Sequence, residues 1–124
     1  MAQTAACVDI IASNKVTLQD AFQFDDATDT SWSFTGVTFE MEVKASRDDA
    51  APLLTLTSGA GQIVVDDAAL RILHLNVDPA ALQLALPVGE YVYDLVMIET
   101  APTPDVLTLL MQGRLVLQQG VTGV

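Results

Sequence analysis

A single cysteine, Cys7, means that no disulfide can form within this chain, so its stability has to come from a packed core. Basic residues are scarce too: five Lys and Arg stand against 16 Asp and Glu, a formal net charge of -11. Such a chain repels phosphate, and no Lys/Arg cluster makes a local exception, which argues against nucleic-acid binding. Long hydrophobic runs are also missing. Although 51% of the residues are hydrophobic and the mean hydropathy is +0.40, no window approaches the roughly 18 continuous apolar residues of a spanning helix. No membrane segment is expected. Histidine occurs once, at His74, and no Ser or Cys motif frames it as half of a nucleophile–base pair.

What is present fits one domain, 1–124, with residues 1–6 and 118–124 as possible arms that dock on a neighbour. The segment from Met1 to Cys7 has no basic start and no apolar run. A secretion signal is therefore not expected, and folding in a reducing cytoplasm is. The small neighbours of Cys7 suggest a packed thiol that behaves as a small hydrophobe. Acidity favours solubility and a basic partner surface, and the surplus of apolar residues is expected to go into contacts between subunits.

The dominant period is two. Val37, Phe39, Met41, Val43 and Ala45 alternate with Thr38, Glu40, Glu42 and Lys44, the pattern of a half-buried strand. Gly36 supplies the turn before it and Arg47-Asp48-Asp49 ends it. Leu53 to Thr57 and Ile63 to Val65 flank Ser58-Gly59-Ala60-Gly61 and read as a hairpin that Asp66-Asp67 terminates. Arg71 to Val77 alternates again, with Leu73, Leu75 and Val77 on one side and His74 and Asn76 on the other. Asp78-Pro79 caps and starts a helix that Pro87 stops, a short crossover near residues 79–85.

Pro87 and Gly89 then turn the chain into a strand from Glu90 to Glu99, where Tyr91 is placed to anchor a corner between sheets. Tyr91 and Tyr93 share a face with Leu95 and Met97, while Val92, Val96 and Ile98 share the other with Asp94. A strand apolar on both sides is either central in a layered structure or covered by another chain. Val106 to Leu117 is the last strand, with Leu107, Leu109, Met111, Leu115 and Leu117 expected on one face. Gly113 in its middle predicts a bulge or a close neighbouring backbone. Two earlier runs, Cys7 to Ala12 and Leu18 to Phe24, also read as strands. The expected fold is all-β: a single Ig-like antiparallel β-sandwich of about seven to nine strands with one short helix.

No residue set spells out a reaction, and no catalytic, cofactor or metal residue is assigned. The acidic turn holding Asp25, Asp26 and Asp29 has the ligand type that calcium prefers but not the spacing of a calcium loop. It reads as a solvated turn. Ser58-Gly59-Ala60-Gly61 lacks the lysine of a phosphate loop and does not open a helix. Trp32 and Phe34 either close one end of the sandwich, the favoured reading, or form a binding anchor. Together with Tyr93, Val92, Val96 and Ile98 they make up the candidate interface.

The ordered series Phe34-Thr35-Gly36-Val37-Thr38-Phe39-Glu40-Met41-Glu42-Val43, then Leu53 to Thr57, then Leu86-Pro87-Val88-Gly89-Glu90-Tyr91-Val92-Tyr93-Asp94-Leu95, and finally Gly113-Arg114-Leu115-Val116-Leu117 with Gly120-Val121-Thr122 resembles small proteins encoded among bacteriophage and prophage tail and tail-fibre genes. The resemblance runs from Phe34 to the end, and the order of its pieces is more specific than any one of them. The N-terminal third matches poorly, and the chain ends in Gly-Val where that group often has a basic residue. It implies an Ig-like sandwich similar to the N-terminal module of phage baseplate upper proteins, and a structural, non-enzymatic role in the virion. The partners implied are other phage structural proteins and copies of the chain itself in a symmetric assembly. Alternatives are a capsid decoration or head-tail protein, or a carbohydrate- or receptor-binding module using Trp32 and the acidic turn, with a glycan as ligand.

Overall fold

Period-two alternation turns into strands through most of the chain. The computed structural model describes residues 6–24, 33–100 and 104–120. In order, the elements are β1 (Ala6–Cys7), β2 (Ile10–Ser13), β3 (Ala21–Gln23), β4 (Thr38–Lys44), β5 (Leu54–Thr57), β6 (Ile63–Asp67), β7 (Ile72–Leu75), α1 (Pro79–Ala85), β8 (Gly89–Glu99) and β9 (Val106–Gln118). In β4, Phe39, Met41 and Val43 are buried, and Glu40 and Glu42 between them face outward. In β8, Tyr91, Tyr93, Leu95 and Met97 point inward and Val92, Asp94, Val96 and Ile98 point outward, as expected.

The strands form two sheets. The larger runs β1-β9-β8-β4-β5 with β2 also on β9, and the smaller runs β3-β7-β6. Inward residues of both, Met41, Tyr93 and Leu115 from one and Leu73, Leu75 and Ile63 from the other, belong to one buried cluster. The fold is thus an all-β sandwich with one short helix, similar in plan to Ig-like sandwiches. Helix α1 carries the chain from the small sheet to the large one. Its Asp78 cap accepts a hydrogen bond from the Ala80 amide at 2.8 Å, Pro79 opens it, and Leu82 is its buried anchor.

Several expectations need correction. β5 and β6 do not form a hairpin: β5 pairs with β4 in the large sheet and β6 with β7 in the small one. The Ser58–Gly61 turn, closed by a Gly61 amide donating to Ser58 O at 3.1 Å with Gly61 at φ +78°, reverses the chain between layers. Leu56 and Ile63 are both buried, so each strand presents its apolar face to the core. The turn residues encode the reversal and leave pairing undecided.

Asp66-Asp67 does close β6, which ends at Asp67, and the break begins as a register shift after Val65. The sandwich is not wholly antiparallel, because β1 and β2 run parallel to β9. They keep the same offset along β9, so they are halves of one strand interrupted at Val8 and Asp9. Alternation carries no strand direction, so only the packing could decide it.

β9 departs most. Leu95 pairs with Met111 but Val96 pairs with Leu109, leaving Leu110 as an extra residue. This bulge inverts the parity of everything before it. Leu110 and Met111 are both buried, whereas Leu107 is 64% exposed and Leu109 is half-buried on the outer face. Gly113, the expected site of a bulge or a close backbone, marks the close backbone. Ala45, expected inside, lies beyond the end of β4 and is exposed.

Candidate functional site

The corner residues come together as expected. Pro87 follows α1, Gly89 opens β8 opposite Leu117, and the Tyr91 hydroxyl donates to the Pro87 carbonyl. This is the tyrosine corner of Ig-like sandwiches. Two residues on, where antibody domains hold half of an inter-sheet disulfide, this chain has buried Tyr93. Its hydroxyl donates to Val8 O at 2.5 Å and so ties the central strand to the N-terminal one. Burial, followed by the nearby charges of Asp9 and Cys7, raises the Tyr93 pKa well above the usual tyrosine value.

The same carbonyl explains Gly113. A Cβ there would sit 2.1 Å from Val8 O and 2.8 Å from Val8 C. The Val8 amide donates to Gln112 O at 2.9 Å, so the N-terminal strand stays in close contact with β9 even where it is interrupted. Beside this contact, Arg114 bridges Asp9 at 3.0 Å and Glu90 at 3.2 Å. The Arg114 guanidinium bonded to Asp9 holds that carboxyl below its usual range, and the Arg114 pKa is raised in turn, first by Asp9. All three are exposed, so the cluster adds little stability.

The candidate interface residues divide. Phe34 and Tyr93 are buried and face the core, so neither presents an outer contact surface. Phe34 packs edge-on against Phe24 at 5.9 Å and Phe39 at 4.8 Å, closing the sandwich as the core-cap reading has it. Val92, Val96 and Ile98 lie on the outer face of the large sheet. Ile98 pairs with Leu107 and Val96 with Leu109, while Glu42 and Asp94 stand opposite each other across β4 and β8. A cleft of about 200 Å³ opens on this face, lined by Glu40, Glu42, Asp94, Val96 and Leu107. Trp32 and the turn holding Asp25, Asp26 and Asp29 lie outside the described residues, as do residues 1–5 and 121–124 of the proposed arms. Gln119 and Gly120 are tied to Asn14, with the Gly120 amide donating to Asn14 Oδ1 at 3.0 Å.

His74 sits half-buried on the outer face of the small sheet, its Nδ1 2.9 Å from both oxygens of Asp66. The Asp66 bulge brings the two together. Cys7, expected to be packed, is exposed on its edge strand. Arg71 was not anticipated from the sequence. It is 6% exposed and sits at φ 58° in the turn joining β6 to β7, with Nε donating to Phe24 O at 2.7 Å. A polar residue opening an apolar alternation was its only signal. Among the described residues, no group of three or more His, Cys, Asp or Glu could hold a metal ion. The sequence matches no protein-family model and no curated protein.

Proposed function

We propose that this protein is a non-enzymatic structural component of a bacteriophage particle, at a tail tip, baseplate or fibre-attachment point, that works through protein–protein contacts. The observation that carries this reading is the outer face of the large sheet. The segments that resemble phage tail proteins form β4, β5, β8 and β9, neighbours in that one sheet. Apolar side chains stand there in solvent-facing positions, Leu107 among them. Ile11, on the adjoining β2, is also exposed. A sandwich with such a face suits a repeated building block whose copies each dock on another particle protein, because modest contacts multiply around a symmetric assembly.

Particles produced by a strain carrying this gene, purified and analysed by mass spectrometry and electron cryo-microscopy, test the proposal. The expected result is the protein in stoichiometric amount with density at the tail. Its absence from purified particles overturns the reading. Density on the capsid shell would make it a decoration protein instead.

A further inference from the structure

The cleft on the outer face of the large sheet combines charge and apolar surface in a way that selects an occupant. Glu42 and Asp94 are direct cross-strand neighbours, an arrangement of like charges that destabilises a sheet. Glu40 lies one row away on the same face and lines the same cleft. Among the described residues none of the three has an ion-pair partner; the Asp and Glu that do are Asp66, Asp9 and Glu90. Lys44 and Arg47 approach Glu42 and Asp94 around a separate recess of about 50 Å³, and they do not line the larger cleft.

The apolar wall of the cleft is Val96 and Leu107. A volume of about 200 Å³ is below the range of small-molecule pockets, roughly 300–1,000 Å³, yet ample for one long side chain. The carboxylates are not arranged to chelate a metal ion. A guanidinium or ammonium on an aliphatic stem meets both halves of the surface, the stem against Val96 and Leu107 and the head among the carboxylates. A second copy of the chain, itself at -11, brings like charge to this face.

We infer that the outer face of the large sheet docks a basic protein segment, seating an Arg or Lys side chain in the cleft of Glu40, Glu42 and Asp94. Apolar residues flanking that side chain pack on Ile98 and Leu107. The like-charged Glu42–Asp94 pair, which makes no close ion pair among the described residues, is then a stability cost kept for binding. This inference stands whether or not the protein belongs to a phage particle.

The test uses the full ¹⁵N-labelled chain titrated with the acetylated, amidated peptide Thr-Leu-Arg-Leu-Thr, and with the same peptide carrying neutral citrulline for Arg. The Arg peptide should give saturable amide shifts centred on Glu40, Glu42, Asp94, Val96 and Leu107. Affinity should fall about tenfold or more with citrulline, in the Glu42→Gln/Asp94→Asn double variant, and at about 0.5 M salt, where screening is strong. An unchanged spectrum elsewhere shows that the variant folds. No saturable shift, equal response to both peptides, or shifts spread over Asp48, Asp49 and Asp67 overturns the inference. So does a concentration-dependent dimer that perturbs the same amides, which makes a second copy the occupant.

Discussion

At the scale of single residues, two tyrosines two positions apart do different work. Tyr91 holds the corner through Pro87, so Tyr91→Phe should cost about 1 kcal/mol, the usual worth of one hydrogen bond, in urea denaturation. Tyr93 is buried and its pKa is raised. The unfolded chain therefore loses the phenolic proton first, and stability is full below about pH 10 and declines as pH rises above it. Urea midpoints between pH 8 and 11 should show this fall in the wild type and less of it in Tyr93→Phe. Gly113, the cross-strand partner of Tyr93, lies beside the same Val8 carbonyl. Gly113→Ala drives a Cβ into the Val8 carbonyl and should cost about 3 kcal/mol by overpacking, read as a lower thermal midpoint. Tyr91 and the close approach at Gly113 were legible in the sequence, because turn chemistry and glycine placement are local. Tyr93's link to Val8 spans 85 positions, and no local pattern announces it.

At the scale of elements, α1 was readable to within a residue, since cap, first-turn proline and stop are all adjacent in sequence. β9 was readable as a strand but not in its facing. A single extra residue at Leu110 reverses which leucines are inside. Leu110→Ala should therefore cost about 2–5 kcal/mol, whereas Leu107→Ala, which strict alternation would place in the core, should stay within about 0.5 kcal/mol. Equal losses in the two variants by chemical denaturation would contradict the bulge. The β5–β6 turn teaches the same point about pairing. Its glycines predict a reversal, and a reversal serves equally to join neighbours in one sheet or to cross between two. Arg71 completes the small sheet by bonding the Phe24 carbonyl from 47 positions away, another contact that no periodicity encodes.

At the scale of the whole molecule, charge and layering matter most. A net charge of -11 on 124 residues works against compactness through self-repulsion. Raising salt from about 0.05 to 0.5 M should lift the thermal midpoint by a few degrees, as screening shortens from roughly 14 to 4 Å. A fall instead would mean that the exposed Asp9–Arg114–Glu90 cluster outweighs the repulsion. The amino-acid sequence by itself determined the all-β class, the positions of most strands, the helix and its cap, and the inward and outward faces of β4 and β8. Each of these follows from the identities of residues a few positions apart, through period, capping and turn chemistry. Only the tertiary structure decided that the N-terminal strand runs parallel to β9, that β5 and β6 belong to opposite layers, that Leu110 rather than Leu107 enters the core, and that Glu40, Glu42 and Asp94 share one cleft. Those outcomes depend on which segments lie beside each other across long stretches of chain, and that is settled by how the two sheets fill a common core.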